Sequence, residues 1–467
     1  MDPHVRRWLF AIAALAIAHA MVFIVYQRPV WATTWDDQVG YQRLGHVLAT
    51  TGRFTRNPDV RLFVPETIRT PGYPIFIAVV YRVLGEHHLA VAGAQALMFA
   101  GLTFVVFALT SRLASERVGL AAATLTALFP PIPYYGALVL TEVLCTTLVT
   151  LALWTAVRAI QEQRRGHYLS TGALLGLATL TRPTFALFPV ALVAMAALAA
   201  AVTGQGEWRR ARPWGWTVVA FSIVLLPWLA YNVVYVHRFT ISPAGGVGRA
   251  TWEASWQGTW PGRVQADLTR LAEAHVNDSD TGLDAAVTGF AQDTGLAAAP
   301  MLAYAHQWRD VRRIWDTPTD PRERSIMRVA ADDEYWRLGV ANIKRDRLGH
   351  LIRRVTVGTV VLWIAEIPIR YGEINGVRPI VIRLIWLAQA GLVALALLGL
   401  VVLRGRGHVV EAAPLIALVA YITAVHLPLL AEARYSLPAK PALLALATIA
   451  IAEIAHRVLP QTGDYLP

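Results

Sequence analysis

The chain has a single cysteine, Cys145, and only two lysines, Lys344 and Lys440. One cysteine excludes a disulfide framework within the chain and any cysteine-based metal site. Arginine therefore carries nearly all of the positive charge, which reads as compositional bias. Charge of both signs is scarce: 16% of the 467 residues are charged, against about 25% in a soluble globular chain. The deficit falls in apolar stretches of about 20 residues, the length a helix needs to cross a bilayer. With 55% hydrophobic residues and a mean hydropathy of +0.45, the chain reads as an all-α polytopic membrane protein. The net charge of +11 does not point to nucleic acid. The arginines form no single basic face; they gather at the ends of apolar segments, the pattern of positive-inside topology. No internal repeat or low-complexity tract is visible.

Ten spans are expected, at about 8–26, 88–110, 118–133, 138–158, 168–184, 186–203, 214–234, 380–403, 411–430 and 438–457. Arg6 and Arg7 precede the first, which is too long and lacks the cleavage site of a signal peptide. With the N-terminus inside, every inner connection is basic: Arg112 and Arg117, then Arg158, Arg164 and Arg165, then Arg209, Arg210 and Arg212, then Arg404 and Arg406, then Arg457. Three regions follow. Residues 1–234 form an N-terminal membrane core that includes a first outer loop at 27–87. Residues 235–379 form an outer helical cap, with its polar part at 262–350. Residues 380–467 form the C-terminal membrane helices. The stretch 351–371 carries Arg353, Arg354, Glu366 and Arg370. Counting it as a span would break the charge parity, so it is expected as an amphipathic helix in the outer interface.

The chemistry-bearing residues lie at the outer ends. Asp36 and Asp37 open the first loop, and Asp37 and Tyr41 share a helix face. A partly shielded carboxylate there suits a general base; it equally suits a helix cap. The loop closes with Arg69-Thr70-Pro71-Gly72-Tyr73-Pro74. Arg69 offers a planar fork for a phosphate, or snorkels to headgroups. Glu142, after a proline-rich turn, is an ionisable group at membrane depth and so a functional candidate with a partner such as Arg182 or Arg69. Arg182-Pro183 breaks an apolar stretch, and Arg182 calls for an anion. Arg434 and Tyr435 precede the last span and suit a phosphate and the interface belt, or anchoring alone. Trp252, Trp256 and Trp260 recur every four residues, as a sugar-stacking platform or as core packing.

The order of these pieces resembles the GT-C superfamily, on the side of glycosyltransferase family 39, which includes protein O-mannosyltransferases and the lipid A aminoarabinose transferase. The matching pieces are Asp37–Tyr41, Arg69–Pro74, the Pro-rich turn ending in Thr141-Glu142, Gly176–Pro183, Pro227-Trp228 with Asn232, and Arg434–Pro438. They cover essentially the whole chain. Two departures stand out: an Asp-Asp pair replaces the familiar Asp-Glu, and Leu-Ala-Tyr-Asn stands where Arg-Asn is frequent.

The resemblance implies a GT-C fold and an inverting transfer of a sugar from a polyprenyl-phosphate donor to an envelope lipid, glycan or protein. It implies a bacterial inner membrane location with the site facing the periplasm. Asp37 would be the base and Glu142 would position the acceptor or pair with an arginine. Arg69, Arg182 and Arg434, with Tyr435, would hold the donor phosphate, and Asp36, Tyr41, Tyr73 and Asn232 would support them. No second acid pair stands out, so no divalent metal or other cofactor is expected. The main rival is a lipid-linked sugar flippase; a transporter of that kind usually shows repeated halves and broken helices at the midplane, and neither is visible. A non-catalytic scaffold and a pyrophosphate-dependent ligase are weaker rivals.

Overall fold

The computed structural model describes residues 2–28, 36–202, 212–261, 263–365 and 378–458, without the side chains of Asp36 and Ala200. Among these residues all regular structure is helical. The first half contains α1 (Pro3–Gln27), α2 (Asp36–Thr51), α3 (Gly72–Leu84), α4 (His88–Leu113), α5 (Glu116–Ala127), α6 (Pro131–Gly136), α7 (Glu142–Glu162), α8 (Arg165–Thr181), α9 (Phe188–Val202) and α10 (Gly215–Val236). The cap contributes α11 (Val247–Trp256), α12 (Val264–Ala274), α13 (Asp280–Thr294), α14 (Ala298–Asp316) and α15 (Pro321–Arg345). Then come α16 (Arg347–Arg353), a π turn at Arg354–Gly358, α17 (Thr359–Trp363), α18 (Pro379–Gly405), α19 (Val409–Val425), a 3-10 turn at Ala433–Ala439, and α20 (Lys440–Val458).

Six of the expected spans are long and apolar enough to cross a membrane: α1, α4, α7, α10, α18 and α20, the last with its 3-10 turn. The other four fold as α5, α8, α9 and α19, of 12, 17, 15 and 17 residues. At 1.5 Å per residue, α5 reaches only about 18 Å of a core about 30 Å thick. The expected span at 118–133 is shortened because Pro130 disfavours helical backbone at the residue before it; the helix stops at Ala127, and α6 begins separately with Pro131 in its first turn.

The last helix is the axis of the bundle. Of its apolar window 78% is buried, against 17% for α18, which lies at the periphery. Elsewhere the helices meet backbone to backbone. A methyl group on Gly172 would stand 2.0 Å from the Thr217 carbonyl oxygen, so α8 and α10 touch without side chains between them. A methyl on Gly72 would stand 2.7 Å from the Leu180 backbone, which seats the end of the first outer loop on the end of α8. The two ends of the bundle differ chemically. Arg112 and Arg158 pair with Glu162 at 2.7 and 3.0 Å, and Arg406 and Arg457 pair with Glu453 at 2.5 and 2.7 Å. These mark the end with basic connections. The loop helices α2 and α3 and the cap lie at the other end.

The cap and the segment after it bear on two of the readings above. The tryptophans of α11 are core: Trp252 is 1% exposed, with its ring 4.8 Å from Tyr304, and Trp256 stacks on Trp260 at 5.5 Å. They pack α11 against α12, α14 and α15, with Trp260 partly buried beside them, which is the core-packing alternative. The interface helix is present as α16, the π turn and α17, with Leu348, Leu351, Ile352 and Val355 exposed. Arg354, expected on its wet face, is instead buried, and Glu366 and Arg370 lie outside the described residues.

The Gly172 contact yields a direct test. Gly172→Val should destabilise the bundle by about 1–3 kcal/mol, the usual cost of overpacking. Gly391→Ala, on the open face of α18 where nothing lies within 4 Å, should be neutral or better. Thermal melts of the two purified variants in one detergent compare them; equal melting would contradict the close contact.

Candidate active site

Proline sets the geometry of Arg182. Pro183 disfavours helical backbone at the residue before it, so α8 ends at Thr181 and Arg182 is extended, with φ −140° and ψ 110°. Its side chain turns to Glu142, the first residue of α7, and donates from Nη1 to Oε1 at 3.2 Å. Glu142 is 2% exposed, at a helix N-terminus, where a negative charge is favoured. Arg434, on the 3-10 turn before α20, reaches the same Oε1 at 3.9 Å and Oδ2 of Asp37 at 3.6 Å, and its Nε donates to Glu432 at 2.7 Å. Asp37, in the first turn of α2, also pairs with Arg69. Asp37 is thus held between two guanidinium groups.

Five of the six expected chemical residues are thus one ion-pair network drawn from five separate elements of the chain. The sixth, Tyr435, lies under it. The guanidinium carbons of Arg182 and Arg434 sit 5.1 and 5.3 Å from the centre of its ring. On one face Tyr435 stacks against His426 at 5.1 Å. Tyr41 does the same for Arg69, at 4.7 Å, and Tyr73 supports Tyr41 edge-on at 5.0 Å while donating its hydroxyl to Gln95 at 3.1 Å.

Asn232 does not join them. It is buried on α10 and donates to the Thr240 carbonyl at 2.7 Å, which ties down the chain after the helix. The side chain of Asp36 lies outside the described residues.

Several residues of the site escape a reading of the sequence. Glu432 is legible in hindsight, two residues before Arg434. Glu66 is not: its Oε1 accepts from the backbone N–H groups of Ile68 and Arg69 at 2.8 and 2.9 Å, which fixes the turn that presents Arg69. Arg354 donates to the carbonyls of Leu427, His426 and Leu429 at 3.0, 2.6 and 2.6 Å, and to Gln257. Gln257 in turn holds Ala431 through both its N–H and carbonyl. This clamp fixes the loop that leads to Arg434. Its partners are far apart in the chain, so no local signal announces it.

The electrostatics are balanced: Asp37, Glu142 and Glu432 face Arg69, Arg182 and Arg434. Burial pushes the Asp37 carboxyl up, but Arg69 and then Arg434 pull it down further, and the net position is below the usual carboxylate range. Asp37 is a third exposed and Arg69 about a fifth, so the network opens to the outside through them. Among the described residues no three His, Cys, Asp or Glu side chains are grouped to hold a metal ion. The arrangement offers an ionised carboxylate beside guanidinium groups that can receive an anion.

Residues 68–231 match a family model described as dolichyl-phosphate-mannose-protein mannosyltransferase. That stretch contains Arg69, Tyr73, Glu142 and Arg182; Asp37 and Arg434 fall outside it. No curated protein sequence matches the chain. Among solved structures, the oligosaccharyltransferase AglB of Archaeoglobus fulgidus, in complex with an inhibitory peptide and a dolichol-phosphate, aligns with TM-score 0.53 and 12% identity, over 98% of this chain and 51% of that one. The apo form aligns with TM-score 0.54 and 12% identity, over 96% and 51%. ArnT of Cupriavidus metallidurans, bound to undecaprenyl phosphate, aligns at 0.41 and 16%, over 97% and 80%. The chain spans about half the length of the oligosaccharyltransferase it matches. It is a multi-pass membrane protein, and its fold is the GT-C fold expected from the sequence.

Breaking the buried pair should cost more than removing it. Arg182→Met leaves Glu142 with only the more distant Arg434, 3.9 Å away, and should destabilise by up to about 3–5 kcal/mol, whereas Arg182→Met with Glu142→Gln should recover most of that loss. Denaturant or thermal unfolding of both variants measures it. An additive double variant would show that the two side chains do not depend on each other.

Proposed function

We propose that the protein is an inverting glycosyltransferase that moves a sugar from a polyprenyl-phosphate donor to an envelope lipid, glycan or protein. The observation that carries this is the convergence of Asp37 with Arg69, Arg182 and Arg434 at one end of a membrane bundle. The family-model match and the dolichol-phosphate bound to the oligosaccharyltransferase of the same fold support a lipid-phosphate donor. The basic connections at the opposite end support a site on the periplasmic side of a bacterial inner membrane.

In the proposed reaction an acceptor hydroxyl oxygen attacks the anomeric carbon from the face opposite the phosphate. The new C–O bond forms as the bond to the phosphate oxygen breaks, so the configuration inverts. Asp37 accepts the hydroxyl proton, and the electron pair leaves on the lipid phosphate. Arg182 and Arg434, held over Tyr435, stabilise the charge that develops there, and Arg69 assists from the Asp37 side. Glu142 keeps Arg182 and Arg434 in place. Three guanidinium groups supply the positive charge a leaving phosphate requires, so we propose that transfer needs no divalent ion.

Sugar transfer in proteoliposomes tests this, with a panel of labelled polyprenyl-phosphate sugars and an envelope acceptor extract. Asp37→Asn should lower turnover by about 10²–10⁴-fold, the range for loss of a general base, and EDTA should leave the wild type active. Normal turnover by Asp37→Asn would remove the base. Label that crosses the bilayer without being transferred would favour a flippase.

The pH profile gives a second test. Asp37 is held ionised below the ordinary carboxylate value, so the acid limb of kcat/KM should lie below about pH 4. Arg69→Gln removes the largest opposing charge, and the limb should rise by about 1–3 units whatever the residual rate. A limb that stays in place would separate Asp37 from the proton transfer.

A further inference from the structure

A second cationic cluster lies beside the first, where the cap meets the first outer loop. Ser325 of α15 donates to the Pro65 carbonyl at 2.6 Å, and Thr67 donates back to the Ser325 carbonyl at 3.1 Å. These bonds lay α15 across the segment that contains Glu66. Arg328 is one turn beyond Ser325 on the same face of α15, the face bonded to the segment around Glu66, and it lies close enough to feel the charges of Arg56 and Glu66. Arg56 itself lies against α2: its guanidinium is 3.9 Å from where a methyl on Gly40 would stand. Gly40 is three residues after Asp37, so the Arg56 guanidinium is about one helical turn from the proposed base.

The cluster holds more guanidinium groups than carboxylates. Glu66 is fully engaged, by Nε and Nη2 of Arg56 at 2.7 and 2.9 Å and by two backbone N–H groups. Asp316 belongs to Arg312 at 2.7 Å. Arg324 donates its Nε to the Pro318 carbonyl at 2.9 Å. Arg328 has no hydrogen bond or ion pair among the described residues; its Nε is buried, and its guanidinium is steadied over the ring of Trp315 at 5.0 Å. Burial, and then the repulsion of Arg56, pull the Arg328 guanidinium below the usual arginine range. A guanidinium held by an aromatic face, next to a second one and short of a carboxylate, is arranged for an oxyanion that its planar fork can grip.

We propose that Arg56 and Arg328 form a seat for a phosphoryl group on the acceptor, about one helical turn from Asp37. The seat is distinct from the Arg182–Arg434 pair assigned to the donor phosphate, and its acceptor role rests on the transferase reading. The acceptor class is then a phosphorylated envelope molecule.

The test measures binding of radiolabelled inorganic phosphate to the full chain in phosphatidylcholine nanodiscs. Wild type should show two classes of site, one weakened by Arg182→Gln and the other, by about tenfold or more, by Arg328→Gln. Phosphatidic acid added to the disc would displace label from the second class if the group comes from a lipid; glycerol phosphate alone would displace it if the group comes from solution. Phosphate should also protect Arg328 of the wild type from phenylglyoxal, read by mass spectrometry, which needs no variant to fold. Unchanged binding by a folded Arg328→Gln, or no protection, overturns the seat. In the transfer assay Arg328→Gln should raise the acceptor KM and leave kcat and the donor KM alone. A wild type that binds phosphate at Arg328 but transfers no sugar would overturn the transferase reading and leave the seat standing.

Discussion

Three guanidinium groups drawn largely out of water at the mouth of an apolar bundle are stable because three carboxylates, of which Glu142 is fully buried, face them. Moving one unpaired ion out of water costs several kcal/mol even after relaxation, so the network of Asp37, Glu142 and Glu432 with Arg69, Arg182 and Arg434 must assemble as a whole. Its members come from α2, the first outer loop, α7, the end of α8 and the turn before α20. Each of these elements is therefore constrained by the others. Arg434 is the joint, because it faces a carboxylate from the N-terminal half, one from α7 and one from its own turn.

The rest of the fold serves that constraint. The Gly172 and Gly72 contacts bring α8 close to α10 and to the first outer loop, so that Arg182 and Arg69 join one network through Glu142, Arg434 and Asp37. Arg354 and Gln257 hold the 426–431 loop by main-chain bonds, which fixes where Arg434 begins. Glu66 does the same for Arg69 through two backbone N–H groups. The aromatic rings of Tyr41 and Tyr435 supply flat seats beneath three of the arginines. A shift in any of these supports leaves a buried charge exposed to apolar surroundings.

The residues that meet in the network were legible in the sequence because membrane burial makes ionisable groups rare. Glu142, Arg182 and Arg434 stand out against apolar neighbours, and Pro183 announces the break at Arg182. What was not legible depends on partners far apart in the chain. Gln257 and Glu66 look like ordinary polar residues, and nothing local assigns Arg354 to the carbonyls of a loop some seventy residues later. The tryptophan stripe of α11 was ambiguous for the opposite reason: its period fits a sugar platform and a core equally, and only the helices of the cap, packed on it, decide. Asn232 shows the same limit, since a motif position says nothing about which way the side chain points. Span lengths failed where prolines interrupt, because hydropathy counts residues and not the helix they can form.

On the proposed reaction, the neutrality of the network has a mechanistic consequence. A donor phosphate entering the site competes with carboxylates for the same guanidinium groups. Each arginine it draws away from Asp37 removes a charge that depresses the carboxyl, while the burial that raises it remains. The proton affinity of Asp37 therefore rises as the donor settles, and is lowest when the site is empty. A carboxylate held below its usual range is a weaker base on its own; paired with a phosphate that borrows its partners, it becomes a better one where a sugar is present to be transferred. The same competition limits wasteful chemistry, because Asp37 gains base strength only with the leaving group in place.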